Sequence, residues 1–306
     1  MKHAIQDRLR AAYAEAFAAG RAPDFGAAEL ADWTKVADEL VEGGELELGG
    51  YAVRRLNEAW PDFAWARNVA DLLELMPPAD PVQPAFADVF PSAVQTVRRE
   101  GAQTALLVFC GAKHRLGMPL PMLHRWLARL PVSLVYLRDL SSQCYLGGVD
   151  RLGADIGSTL EALRALTAEL GARRVVCYGN SVGGYGALRY GVELGADAVI
   201  GVAGLTNMAA AFNAHLHYAP AARALDAAFP DAPLDLRRLY QQASHPPRAL
   251  MVYGEHNWDD RIHAEHMAGL PGVTLQQIDG YKGHNCAVEL IRAGRFGALL
   301  EEALSG

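Results

Sequence analysis

The chain has 306 residues, 51% of them hydrophobic and 21% charged, which suits a globular protein with room for one large domain or two unequal ones. Twenty-eight basic against thirty-five acidic residues leave a formal charge of −7, a balance that argues against nucleic acid or an anionic membrane surface as partner. No run approaches the ~18 apolar residues of a membrane span, and Asp7 and Glu15 inside an alanine-rich helical pattern argue against a signal peptide.

Residues 5–76 carry helical periodicity and almost no strand signal. Ile5, Leu9, Ala12, Tyr13, Ala16 and Phe17 form one apolar stripe, ended by Gly20 and Pro23. Leu30, Trp33, Val36, Ala37, Leu40 and Val41 form a second, stopped by Gly43-Gly44. Tyr51, Val53, Leu56, Asn57 and Trp60 lead to Pro61-Asp62, and a last helix runs through Trp65, Val69, Leu72, Leu73 and Leu75. With Gly50-Tyr51, Leu56, Trp60-Pro61 and the returning helix to Leu75, about 50 residues of this stretch resemble a degenerate tetratricopeptide-type hairpin. Pro77, Pro78, Pro81 and Pro84 follow as a stiff extended connector, which sets an expected division into a helical region 1–80 and a domain 86–306.

Beyond the connector the pattern changes. Apolar runs of strand length occur at 104–109, 132–137, 174–178, 198–203, 248–253 and 273–278, separated mostly by helical patterns at 119–130, 155–170, 183–194 and 286–304. Short, wholly apolar strands alternating with helices predict an α/β fold whose mostly parallel sheet is covered on both faces. Residues 204–246 break the rhythm with helical pieces and prolines but no strand, so they read as an insertion.

Gly179-Asn180-Ser181-Val182-Gly183 follows the strand 174–178 and opens the helix 183–194. With 8 serines and 30 glycines, chance supplies about 0.08 such G-x-S-x-G patterns in this chain, so the strand–turn–helix setting has to carry the meaning. In that setting the serine sits on a tight turn, and the residues two before and two after it must be small. The helix N-terminus behind it favours negative charge on a bound group.

A nucleophilic serine needs a base, and the base an orienting acid. The strand 248–253 leads into Gly254-Glu255-His256-Asn257-Trp258-Asp259-Asp260, where Asp259 and Asp260 are the only aspartates before the next strand. The strand 273–278 leads into Asp279-Gly280-Tyr281-Lys282-Gly283-His284, and His284 is the only histidine after residue 266. Serine, acid and histidine fall in that order, each just past the carboxyl end of a strand, where an open parallel sheet holds its ligand site. One aspartate of the pair is expected to cap a helix starting near 261, and the other to orient the base.

On these residues the stretch from about 104 to 306 resembles the α/β-hydrolases. More narrowly it is similar to a bacterial group with a G-x-S-x-G-G-Y/F elbow, an Asp three residues before a His-Ala pair, and a late Gly-x-x-His. Gly179 to Tyr185, Asp260 before His263-Ala264, and Gly280 and Gly283 before His284 are the counterparts here. The resemblance implies the α/β-hydrolase fold and a catalytic set of Ser181, Asp260 and His284. It favours Asp260 over Asp259, although the family's usual acid position, three past the strand-ending glycine, is Asn257. It also implies an oxyanion hole from the backbone N–H groups of Val182 and, by position in Phe109-Cys110-Gly111-Ala112-Lys113-His114, of Ala112. Cys110-Gly111 stands where His-Gly is frequent.

Weaker signals are absorbed more plainly. The histidines 215, 217, 256, 263 and 266 lack a metal-site arrangement and read as solvated or core residues. Cys144 sits in an ordinary loop beside the presumed pocket, and Cys286 reads as a small residue packing a helix start. With Leu205, Met208, Phe212, Leu216, Tyr218 and Phe229, the insertion reads either as a lid or as a structural elaboration. Cys110, Cys144, Cys177 and Cys286 lie far apart without C-x-x-C, as free thiols in a reducing cytoplasm. The expectation is therefore a cytoplasmic serine hydrolase of a carboxylic ester or thioester. It takes a small-molecule acyl substrate and no cofactor or metal, and its helical region is available to a protein partner or to self-association. An acyltransferase on the same scaffold and a non-catalytic binding or scaffold protein are the alternatives.

Overall fold

Helical stripes and apolar strand runs segregate along the chain, and the structure, a computed structural model describing residues 2–82 and 86–305, divides into two compact units. Pro84 of the proline connector lies outside the described residues.

The first unit takes in Met1–Val89 together with Met118–Arg129. It contains α1 (Lys2–Ala18), α2 (Leu30–Glu42), α3 (Leu46–Ala59) and α4 (Ala64–Leu75), each packing on the next. The buried side chains are the predicted stripes: Leu9, Tyr13 and Ala16 on α1, and Trp33, Val36, Ala37, Leu40 and Val41 on α2. Tyr13 stands edge-on to Trp33 at 4.8 Å between ring centroids, and Phe25 bridges Trp33 at 5.2 Å and Trp60 at 4.9 Å. Such edge-to-face aromatic contacts fix the packing more sharply than aliphatic burial does.

The unit also includes α5 (Leu120–Leu127), which lies between two strands in the sequence. Its partners explain this: α5 packs on α2, His124 stacks on Phe86 at 4.6 Å, and Arg125 donates to the Pro77 carbonyl at 3.3 Å. A boundary drawn only at the connector misses this helix, because its partners lie from 38 residues upstream, at Phe86, to as far back as α2.

The second unit, Phe90–Gly117 with Leu130–Gly306, is built on a seven-stranded sheet. Its strands are β1 (Val94–Val97), β2 (Thr104–Phe109), β3 (Val132–Leu137), β4 (Arg174–Asn180), β5 (Ala198–Val202), β6 (Arg248–Gly254) and β7 (Val273–Ile278). The order across the sheet is β1-β3-β2-β4-β5-β6-β7; β1 runs antiparallel to β3 and every other pairing is parallel. The six longer strands are the predicted apolar runs. The register sets Phe109 beside Leu137 and Gly179, Asn180 beside Val202, and Gly254 beside Ile278, so the carboxyl ends line up along one edge.

The helices α6 (Ile156–Glu169), α7 (Val182–Leu194), α8 (Ala219–Ala228), α9 (Leu236–Gln242), α10 (Trp258–His266), α11 (Cys286–Arg292) and α12 (Phe296–Ser305) accompany the sheet. This is the α/β-hydrolase fold, preceded in the chain by a small all-α region. The core is continuous around Leu107, Phe109, Val135, Tyr145, Cys177, Tyr185, Tyr190 and Met251.

Two local expectations need correction, and one strand left no signal in the sequence. The antiparallel edge strand β1 carries no apolar run: VQTV is short, and its residues are part-buried or exposed. The helix expected over 286–304 is two, because Gly294 takes φ +67° and turns the chain between α11 and α12. Neither Asp259 nor Asp260 caps the helix expected near 261. It begins at Trp258, and the Asn257 side chain accepts the Asp260 N–H at 3.2 Å.

Candidate active site

At the carboxyl end of β4 the chain turns into α7 through Ser181, whose φ of 58° and ψ of −124° lie outside the usual L-residue regions. The turn exists only because its neighbours are glycines. A Cβ on Gly179 would sit 2.0 Å from the Gly183 carbonyl oxygen, one on Gly183 would sit 2.0 Å from the Phe109 oxygen, and one on Gly184 would sit 2.5 Å from the Gly204 Cα. Backbone bonds hold it on both sides: Ser181 N donates to Val202 O at 3.0 Å, and Gly184 N donates to Ser181 O at 2.9 Å. The strain at Ser181 is thus over-determined by the sheet and by three backbone approaches.

The loop after β2 lies against this turn. A Cβ on Gly111 would contact Asn180 O at 3.1 Å and Ser181 Cβ at 3.7 Å. Within the loop, Cys110 N donates to Leu137 O at 2.9 Å and Gly111 N to Arg115 O at 2.8 Å, so both of these N–H groups are committed. Ala112 supplies the next N–H along the loop. On the other side Val182 is the first residue of α7, whose opening N–H groups have no acceptor within the helix.

His284 and Asp260 meet directly. His284 Nδ1 lies 2.8 Å from Asp260 Oδ1 and 3.0 Å from Oδ2, with the Asp260 side chain wholly buried and the His284 side chain 41% exposed. Asp260 belongs to the first turn of α10, where the helix dipole also favours a carboxylate. Burial raises the Asp260 carboxyl above its ordinary value, opposed by the hydrogen bond and charge of His284. Burial alone would lower the His284 imidazole; the hydrogen bond and charge of Asp260, with Asp259 adding, raise it above its ordinary value. Asp259 faces elsewhere, its Oδ2 accepting the His217 N–H at 3.3 Å.

The His284 loop is tied to its neighbours. Glu255 Oε2 accepts the Gly280 N–H at 2.6 Å, His256 N donates to Tyr281 O at 2.9 Å, and Cys286 N donates back to His284 O at 3.0 Å. Asn285 Nδ2 donates to Gly117 O at 2.7 Å, which fastens the start of α11 to the loop after β2. Gly117 adopts φ +78°, and a Cβ there would fall 2.0 Å from Asn285 Oδ1.

One residue at the site was named in the sequence only as an apolar member of the insertion. Tyr218, at the N-terminus of α8, has its ring centroid 6.5 Å from that of His284. Burial raises the Tyr218 phenol above its ordinary value, as do the charges of Asp260 and Asp259, while the Ser181 interaction opposes them; the group stays protonated at working pH. Spacing gave no signal for it, because the chain reaches the site through an irregular segment.

The remaining signals resolve structurally. His263 is buried and neutral, its Nδ1 accepting the Thr206 N–H at 3.1 Å, and burial pushes its pKa down to about 3. The four cysteines are free and buried; burial pushes the Cys144 and Cys286 thiols up to about 12, which leaves neither as a thiolate. Among the described residues, no group of three or more His, Cys, Asp and Glu side chains is arranged to hold a metal ion, and no helix is long and apolar enough to cross a membrane.

No family model matches this chain, and no curated protein matches it. Solved structures similar to it include esterase B from Lactobacillus rhamnosis, at 14% identity and a TM-score of 0.48, covering 83% of this chain and 98% of that one. The fluorophosphonate-binding serine hydrolase F of Staphylococcus aureus is similar at 12% identity and a TM-score of 0.48, over 71% and 94% of the two chains. An α/β hydrolase enzyme from the metagenome of lagoon sediments at Mar Chica, Morocco, is similar at 14% identity and a TM-score of 0.45, over 68% and 92%.

Proposed function

We propose that this chain is a serine hydrolase that cleaves a carboxylic ester or thioester through an acyl-enzyme on Ser181. The observation that carries this reading is a strained serine at a β4–α7 turn sharing one edge of the sheet with a buried His284–Asp260 pair. A strained serine alone has structural precedents. A wholly buried carboxylate bonded to a half-open imidazole on neighbouring loops is costly to keep unless the imidazole works.

In this mechanism Asp260 accepts a hydrogen bond from His284 Nδ1–H, which fixes the tautomer and leaves the Nε2 lone pair free to act as base. As substrate arrives, His284 takes the proton from the Ser181 hydroxyl, and the serine oxygen forms a bond to the acyl carbon. The backbone N–H groups of Val182 and Ala112 stabilise the oxyanion, each contributing about 3 kcal/mol in the transition state. The bond to the leaving oxygen or sulfur then breaks, with the proton returned from His284. Water, deprotonated by the same imidazole, releases the acid and restores Ser181. Because His284 must be neutral to start, and Asp260 holds it protonated to higher pH, activity rises through a pKa above the ordinary histidine value. In this reading the region 1–80 is an accessory to the catalytic part 86–306.

The test is covalent labelling with a fluorophosphonate probe, comparing the wild type with Ser181→Ala and His284→Ala. We expect strong labelling of the wild type, none of Ser181→Ala and very slow labelling of His284→Ala. An unlabelled wild type, or a Ser181→Ala protein that labels equally well, removes the proposal.

A further inference from the structure

The loop that follows β3 leaves ordinary backbone geometry at three residues that are not glycine. Ser142, Cys144 and Tyr145 take φ of 57°, 53° and 62°, conformations that such residues keep only where their surroundings hold them. What this turn delivers is the Tyr145 side chain, wholly buried among β2, β3 and α7. Its ring stands edge-on to Phe109 at 5.2 Å and 74°. Gly186 is bare where the ring passes, since a Cβ there would fall 2.6 Å from the ring Cδ2. The backbone is fastened on both sides. Tyr145 N donates to Asp139 Oδ2 at 3.0 Å, and Tyr145 O accepts the Tyr190 hydroxyl at 3.0 Å.

Phenylalanine would pack in this place equally well, so the hydroxyl is the part that needs a reason. It donates a three-centre bond to two carbonyls, Cys110 O at 2.8 Å and Leu137 O at 2.9 Å. Burial raises the phenol well above its ordinary value, so it stays a donor at working pH. The Cys110 carbonyl opens the loop after β2, and the amide on the other side of that peptide, Gly111 N, donates to Arg115 O at 2.8 Å. The Cys110–Gly111 peptide is therefore held at both ends, its oxygen by Tyr145 and its N–H by Arg115. His114 N donates to Gly111 O at 2.8 Å and closes a turn around Ala112, whose own N–H reaches no backbone acceptor among the described residues. Gly111 lies against the nucleophile, a Cβ there falling 3.7 Å from Ser181 Cβ. A glycine beside the reacting serine lets the peptide before it turn over easily unless something pins it. Without the phenol the Cys110 oxygen would face a ring edge with its bond lost, which favours that turning.

We propose that Tyr145 is the positioning residue of the oxyanion hole, holding the Cys110–Gly111 peptide so that the Ala112 N–H meets the oxyanion formed at Ser181. This rests on the serine hydrolase reading above and on Ala112 as the second donor. Tyr145 touches neither substrate nor the reacting atoms and keeps its proton throughout. Its effect is confined to the tetrahedral state, where the oxyanion exists. A loosened donor therefore lowers kcat and leaves substrate binding alone.

The experiment compares the wild type with Tyr145→Phe, with a thermal melt to establish that the variant is folded. It reads kcat and KM separately on p-nitrophenyl butyrate, the pH profile of kcat/KM, and the inhibition constant of a short alkyl trifluoromethyl ketone. The serine adduct of that ketone carries an oxyanion, so its affinity reports the hole directly. The expected result is a kcat lower by about tenfold, part of the 10²–10³ that deleting a donor outright costs. The ketone should bind about tenfold more weakly, with KM within about twofold and the pH limb unmoved. A folded variant with unchanged kcat, a kcat loss without the matching loss of ketone affinity, or a loss carried in KM overturns the proposal. So does a displaced pH limb, which would route the effect through His284. If Tyr145→Phe does not fold, Asp139→Asn, which loosens the Tyr145 N–H, takes its place. The same pattern is then expected at about threefold, and unchanged kcat and ketone affinity overturn the proposal. A wild type that fluorophosphonate fails to label strikes the serine hydrolase reading itself and is thereby distinguishable.

Discussion

Two segments bordering the candidate site are positioned by opposite means. The elbow between β4 and α7 is positioned by exclusion: every neighbouring position that touches other backbone is a glycine because a single added carbon would overlap it. The stretch before α8 is positioned by attachment: His217 N donates to Asp259, Ala219 N to Leu216 O and Ala222 N to Tyr218 O, and the Tyr218 ring stands against His263. A site edge made by exclusion tolerates no substitution and needs no partner. One made by attachment tolerates many substitutions, each loosening it slightly.

The contrast orders the expected effects of mutation. Ser181→Ala removes the nucleophile and lowers kcat by about 10⁶-fold with the folded state intact, which steady-state ester hydrolysis and a thermal melt check together. Asp260→Asn leaves the imidazole in the wrong tautomer and costs about 10⁴-fold in kcat, whereas Asp259→Asn costs less than about threefold; the reverse order reassigns the acid. Gly183→Ala drives a methyl into the Phe109 carbonyl and destabilises by about 3 kcal/mol or more, read from urea unfolding. An alanine tolerated there breaks the idea of an edge made by exclusion.

Titration sharpens the comparison further. The kcat/KM profile rises on a limb above the ordinary histidine pKa, since His284 is held protonated by Asp260. The residual activity of Asp260→Asn shows that limb at lower pH, because burial, which favours the neutral ring, then acts without the opposing charge. A limb that stays put separates the titrating base from His284. The smallest effect belongs to attachment: Asp259→Asn weakens the hold on His217 and slows ester cleavage about twofold, read from steady-state kcat/KM.

The same division explains what is legible in the amino-acid order. Exclusion writes itself locally: Gly179, Ser181, Gly183 and Gly184 fall within six residues, between an apolar run and a helix, so the elbow and its sheet are read directly. The inner parallel strands β2 to β6 are readable because burial on both faces leaves them nearly continuous apolar runs, whereas β7, at the other edge of the sheet, is VTLQQI and mostly part-buried. The edge strand β1 has no such constraint on its open side, and α5 takes its partners from the distant α2 and Phe86, so neither leaves a local signature. Asn257 illustrates a subtler limit. An asparagine at a position usual for an acid reads as a departure, yet its amide oxygen caps α10 and presents Asp260 one turn further on. Tyr218 is the extreme case, a polar group inside an irregular segment whose partners lie up to 66 residues away along the chain.

The bonds that fasten the site's loops to one another form a chain of ties. Asn285 joins the loop bearing the base to the loop after β2, Glu255 and His256 join the loop after β6 to the same base loop, and Asp259 joins α10 to the stretch before α8. Each tie uses a carbonyl, an amide or a carboxylate at a fixed distance from its strand, so the loops are commensurate in length. Transplanting the base loop alone from a protein with a longer or shorter version severs three ties at once, whereas exchanging the set as a block preserves all of them. For anyone redesigning the specificity of this scaffold, the exchangeable part is the whole assembly of loops.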